Sequence, residues 1–219
     1  MKQFLLCALL VSAPVWSRTA VAHDVSGPAA SQNRITVHVI DMVPVGKSTL
    51  RYAEVQADRI LRKAGVAAEW VDCAEPHSGR SNDGVCPEGS DPGLFIVGIR
   101  GDNAPGSSSK SALGFAMPQF PSSNHAVVLY PRIIQIVRAN AYPLDERVLL
   151  AYVIAHELAH LLFGSVAHGE GIMRANWSRQ EFERMTDRTL LFTSGQAHLL
   201  QRALQERRAG RGRRMFPPS

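Results

Sequence analysis

Three residues within five positions hold most of the chemistry this 219-residue chain can do. They are His156, Glu157 and His160, in the run His156-Glu157-Leu158-Ala159-His160. On a helix, side chains four apart share a face, so both imidazoles can reach one metal ion. Glu157 stands beside them, where it can take a proton from a metal-bound water. The pattern points to a zinc hydrolase, one that cuts peptide bonds.

The bland reading of the same run is two helix histidines satisfied by neighbours and one solvated glutamate. Its surroundings argue against that. Val148 to Ala155 is apolar all round, with Asp145 and Glu146 in the first turn, and a helix hydrophobic on every side is buried. Acidic residues near its start suit the helix dipole. Two histidines and a glutamate at the end of such a helix need partners, and a metal supplies one. Beyond them, Leu161-Leu162-Phe163 continues the helix and Gly164 offers the left-handed conformation that ends it. Four residues later comes His168, which a glycine turn can bring back as a third ligand. Three protein ligands leave the fourth tetrahedral position for water.

Gly171-Ile172-Met173 follows His168. His156 to His160, Gly164, His168 and Met173 together resemble the extended zinc signature and methionine turn of metzincin-type metallopeptidases. The run HELAHLLFGSVAHGEGIMRANW is also similar to that of small bacterial secreted proteins carrying this pattern. The resemblance covers about Leu144 to Trp177. It implies one zinc ion held by His156, His160 and His168, Glu157 as general base, Met173 as an apolar floor, and a peptide or protein substrate. The spacing departs from the signature: Gly164 is four residues after His160 and His168 four after Gly164, each step one residue longer. The return loop must therefore take a different path. Gluzincin-type peptidases place a glutamate on a later helix as third ligand, and Glu181 and Glu183, on an expected helix Ser178 to Leu191, lie near that distance. Glu170 is a further oxygen donor. His168 is preferred because loop, glycine and methionine agree with it, while a solvated helix face accounts for Glu181 and Glu183.

The beginning of the chain reads as a secretory signal over 1–22, with Lys2, an apolar stretch Phe4 to Val15 and the small-residue site Ala20-Val21-Ala22. This stretch is too short and interrupted to span a membrane. A periplasmic or extracellular destination follows, with a zincin-like domain over 23–200 and a basic, flexible, solvated tail over 201–219. From Gln201 onward six arginines face one glutamate, so the tail accounts for the chain's net charge of +5. No aromatic interleaving suggests nucleic-acid binding. Cys73 and Cys86 are the two cysteines outside the signal, and in an oxidising compartment they read as a disulfide.

The elements that must position the site give an α+β class, a zincin-like domain with a mixed twisted sheet. Strands are expected at Ile35 to Val43, Val66 to Val71, Leu94 to Arg100, Leu113 to Met117 and Ala126 to Tyr130. A helix capped by Ser48 should run to about Ala64 and end at Gly65. Gly101 to Ser111 is a polar loop. Zincins lay an extended substrate along an edge strand, and either of the last two strands can be that edge. Gly46-Lys47-Ser48-Thr49 lacks the upstream glycine of a phosphate-binding loop, since position 41 is Asp41. His38, His77, His125 and His198 have no partner at ligand spacing. Trp177 reads as core or as a subsite wall, and Tyr130, Tyr142 and Tyr152 as unranked donors to a developing oxyanion. A non-catalytic zinc-binding protein on a peptidase-like scaffold is the alternative function, against which the intact Glu157 argues.

Overall fold

The computed structural model describes residues 33–73, 93–102, 111–118, 124–139 and 143–210. Among them one mixed sheet is formed by β1 Arg34–Asp41, β2 Ala67–Cys73, β3 Leu94–Arg100, β4 Gly114–Ala116 and β5 His125–Leu129. Its strand order is β2-β1-β3-β5-β4. The first four strands in that order run parallel, and β4 closes the sheet antiparallel to β5. Alternation fixes the core face: Ile35, Val37 and Val39 of β1 and Phe95, Val97 and Ile99 of β3 are all buried.

Five helices accompany the sheet: α1 Lys47–Lys63, α2 Tyr130–Ala139, α3 Glu146–Phe163, α4 Arg179–Thr186 and α5 Ser194–Arg208. The central one is α3, which packs on all four others and on β3, β4 and β5. Every residue from Val148 to Leu162 is buried, as an apolar-all-round sequence demands. Asp145 caps its start by accepting from the Arg147 amide, and Gly164 ends it at φ 65°, a conformation that costs glycine nothing. Of the two candidate edge strands, β4 is the edge and β5 is internal.

Several expectations need correction. Ser48 does not cap α1: the helix starts at Lys47 behind Gly46, with no side-chain cap. Asp41 does the local work instead, its carboxylate accepting from the Val43 and Val45 amides. The helix after Trp177 is shorter than Ser178 to Leu191, because α4 ends at Thr186, is capped by Asp187, and Arg188 turns left-handed at φ 58°. The sequence reading missed α2, which opens with Tyr130-Pro131, a proline position tolerated in a helix's first turn.

The tail boundary is also wrong. Residues 201–208 belong to α5, whose Leu200 and Leu204 are fully buried. Gln201 Nε2 donates to the Ala64 carbonyl at 2.8 Å. Arg207 donates to the Leu161 carbonyl and to Asn124 Oδ1, and lies over the Phe95 ring. Arginine count suggested solvation, but a four-residue leucine spacing and long aliphatic stems let this helix dock. The signal segment, Cys86 and residues 211–219 lie outside the described residues, as does most of the loop Gly101 to Ser111. No described helix is long and apolar enough to cross a membrane.

Candidate metal centre

α3 carries His156 and His160 one turn apart, both buried, with Nε2 atoms 3.0 Å from each other. His156 Nδ1–H donates to the Ile172 carbonyl at 2.8 Å, and His160 Nδ1–H to the Ser165 carbonyl at 2.9 Å. Carbonyls only accept, so each ring keeps its proton on Nδ1 and turns a bare Nε2 lone pair inward. Two facing lone pairs repel unless a cation lies between them. A proton is disfavoured there. Burial lowers the pKa of His156 to about 3, outweighing its Ile172 bond, and burial also lowers that of His160. Tetrahedral zinc sets its nitrogen ligands about 3.3 Å apart, close to the observed spacing.

His168 completes the set. One ligand atom from each of His156, His160 and His168 lies within 4.8 Å of the others. The His168 ring is exposed, with its centroid 5.4 Å from that of His156 and 4.9 Å from that of His160. Its loop returns because the Gly169 amide donates to the Met173 carbonyl at 2.8 Å. The tripeptide Gly171–Met173 forms a 3-10 turn with Ile172 and Met173 buried. Gly171 is required there: its φ is 60°, and an added Cβ would stand 2.7 Å from the Leu191 carbonyl.

The competing oxygen ligands are engaged elsewhere. Glu181 is buried rather than solvated, but its carboxylate closes a capping box with Ser178 and pairs with Arg174. Those bonds to Ser178 lower its pKa. Glu183 pairs with Arg179 at 2.8 Å, and Glu170 is exposed. None joins the histidine cluster found among the described residues.

Glu157, one position from His156, is 5% exposed, and its carboxylate makes no hydrogen bond among the described residues. Burial raises its pKa to about 8, which marks a carboxylate poised to hold a proton. Sequence reasoning missed what lies against it. Gly114 of β4 is so close that an added Cβ would meet Glu157 Oε1 at 2.9 Å and the Val127 carbonyl at 2.7 Å. A lone glycine within a strand pattern signals such an approach. Trp177, expected as core or as a subsite wall, is part-buried against His156. Its indole N–H donates to the same Ile172 carbonyl at 3.2 Å, and its ring meets His156 edge-on at 5.5 Å.

No protein-family model and no curated protein matches the chain. Among solved structures it is similar to an archaemetzincin from Methanopyrus kandleri, with a TM-score of 0.50 and 19% sequence identity, over 79% of this chain and 97% of that one. The fold is therefore an archaemetzincin-like zincin fold, and it brings the three histidines together.

Proposed function

We propose that this chain is a secreted zinc-dependent metallopeptidase. The observation that carries the reading is the pair of converging Nε2 lone pairs on His156 and His160, with His168 beside them and a desolvated Glu157 adjacent. His156, His160 and His168 would hold one zinc ion. Bound zinc supplies a Lewis acid and an acidified water. Glu157 would take a proton from the attacking water and return it to the leaving amine.

The edge strand supports a peptide substrate. Met117 N bonds to the His125 carbonyl and Leu129 N to the Leu113 carbonyl. With Phe115 opposite Val127, this register turns the N–H and C=O of Gly114 and Ala116 toward the open edge. An extended peptide can pair with them beside Glu157. Export through segment 1–22 and a Cys73–Cys86 disulfide belong to the same reading. A mature N-terminus at His23 and a two-hydrogen mass deficit without reductant check them.

The deciding experiment measures zinc content and peptide cleavage for the wild type and Glu157→Gln. Equal zinc with turnover reduced about 10²- to 10⁴-fold is expected. Undiminished turnover in the variant would remove Glu157 from the chemistry. Zinc binding without any cleavage by the wild type would favour the zinc-binding alternative.

A further inference from the structure

A second polar cluster is not used by this mechanism. Tyr152 lies one turn before His156 on α3 and is 2% exposed, yet its hydroxyl makes no hydrogen bond among the described residues. Tyr152 lines a narrow crevice where α1, α3 and α4 meet, together with Gln56, Arg59, Met185 and Arg188. The space is about 10 Å³, room for one oxygen atom.

Arg59 and Arg188 line this crevice with the phenol, and their charges, with that of Arg184, act on it against the larger effect of burial. None of the three forms an ion pair among the described residues. Arg184 donates to the Thr189 carbonyl and Arg188 to the Tyr52 hydroxyl at 3.3 Å, both neutral partners. Nearby acids are committed: Asp58 to Arg62, Glu183 to Arg179 and Asp145 to Arg147. Asp187, exposed beside Arg188, is the remaining one. Positive charge is thus in excess around a hydroxyl that opens onto the crevice and has no protein acceptor among the described residues. Arg188 is also the one non-glycine residue with positive φ among the described residues, a conformation that disfavours a long side chain.

We propose that this crevice is an oxyanion site, in which one oxygen of a phosphate-class dianion accepts from Tyr152 while Arg59 and Arg188 hold its remaining oxygens. Guanidinium forks match tetrahedral oxyanions through paired N–H donors, and the charge excess favours a dianion over a carboxylate. The site is independent of the zinc reading.

The test follows the melting temperature of the full mature protein with sodium phosphate, sodium acetate or sodium chloride at matched ionic strength. Phosphate should raise it by about 3 °C beyond chloride at saturating concentration. The rise should persist in His160→Ala, which separates it from the metal centre, and vanish in Tyr152→Phe. Arg188→Gly relieves the left-handed backbone, so its basal melting temperature should rise while the phosphate response disappears. An equal effect of phosphate and chloride overturns the proposal, as does an unchanged phosphate response in both variants. An acetate response as large as that of phosphate overturns the dianion assignment.

Discussion

Two halves of the candidate metal centre are built on opposite principles. His156 and His160 stand on a helix buried on every side, each ring locked by a backbone carbonyl. His168 stands on an exposed loop, its ring without a hydrogen bond among the described residues. The loop is tied by Gly169 N to the Met173 carbonyl, Ala167 N to Ser165 Oγ and Gln196 Nε2 to the Glu170 carbonyl. A helix in the core is ordered by packing and presents a two-ligand seat before any metal arrives. The loop half must still lose conformational freedom, so the ordering cost of metal binding falls there.

The sharpest way to break this comparison is to remove one ligand from each half. His160→Ala should weaken zinc binding at least ~10³-fold, and His168→Ala about 10²-fold, because the preformed pair survives only in the second case. Competitive chelator titration reads both. Equal losses would mean that the loop ligand is as preorganised as the helix pair, and the contrast would fall.

Gly114→Ala comes next in size and attacks the rigid side from the sheet. The new methyl has nowhere to go between Glu157 Oε1 and the Val127 carbonyl. Either β4 or the Glu157 carboxylate must shift, and a shift of about 1 Å lowers turnover by about 10²-fold. Zinc content should stay unchanged, since His156 and His160 depend on carbonyls away from β4. Wild-type turnover in this variant would show that the contact is incidental.

What the sequence revealed, and what it hid, follows the same division. The histidine-bearing helix was legible because burial, cap and glycine stop are local signals, and Asp145, Gly164 and the apolar run all agree. The triad was legible because spacing and a turn bring His168 back. Gly114 against Glu157 was not, since contact between an edge strand and a helix about forty residues later depends on sheet order. Arg207 beneath the Leu161 carbonyl was hidden by composition, which made a docked helix look like a charged tail. Glu181 read as solvated because a capping box can bury its carboxylate without changing the helical pattern.

Gln196→Ala tests the loop half alone. It removes the bond to the Glu170 carbonyl and leaves α3 untouched. Zinc affinity should fall about tenfold, the range for outer supports of a ligand. Amide exchange should quicken across 165–170 while that of α3 stays slow. Uniform exchange over both segments would place the loop and helix in one cooperative unit.

The smallest effect concerns a second buried carboxyl, which serves as a control for Glu157. Glu54 on α1 is 1% exposed beside Asp72. Burial, reinforced by Asp72 and opposed by Arg51, raises its pKa to about 7 from 4.5. A raised carboxyl pKa means that folding favours the protonated form. Below pH 4.5 both states hold the proton and the full stability is present. Between 4.5 and about 7 the unfolded chain ionises first, so stability falls, and above that window it levels off. Glu54→Gln cannot ionise, so its advantage over the wild type should grow through this window to on the order of 1 kcal/mol at pH 8. Urea unfolding of both proteins from pH 4.5 to 8 measures it, and parallel profiles would contradict the shift. Zinc content should not change, because Glu54 has no part in the histidine cluster. Two glutamates buried to a similar degree would then differ in what surrounds them: one is held against an edge strand beside the three clustered histidines, the other between Asp72 and Arg51.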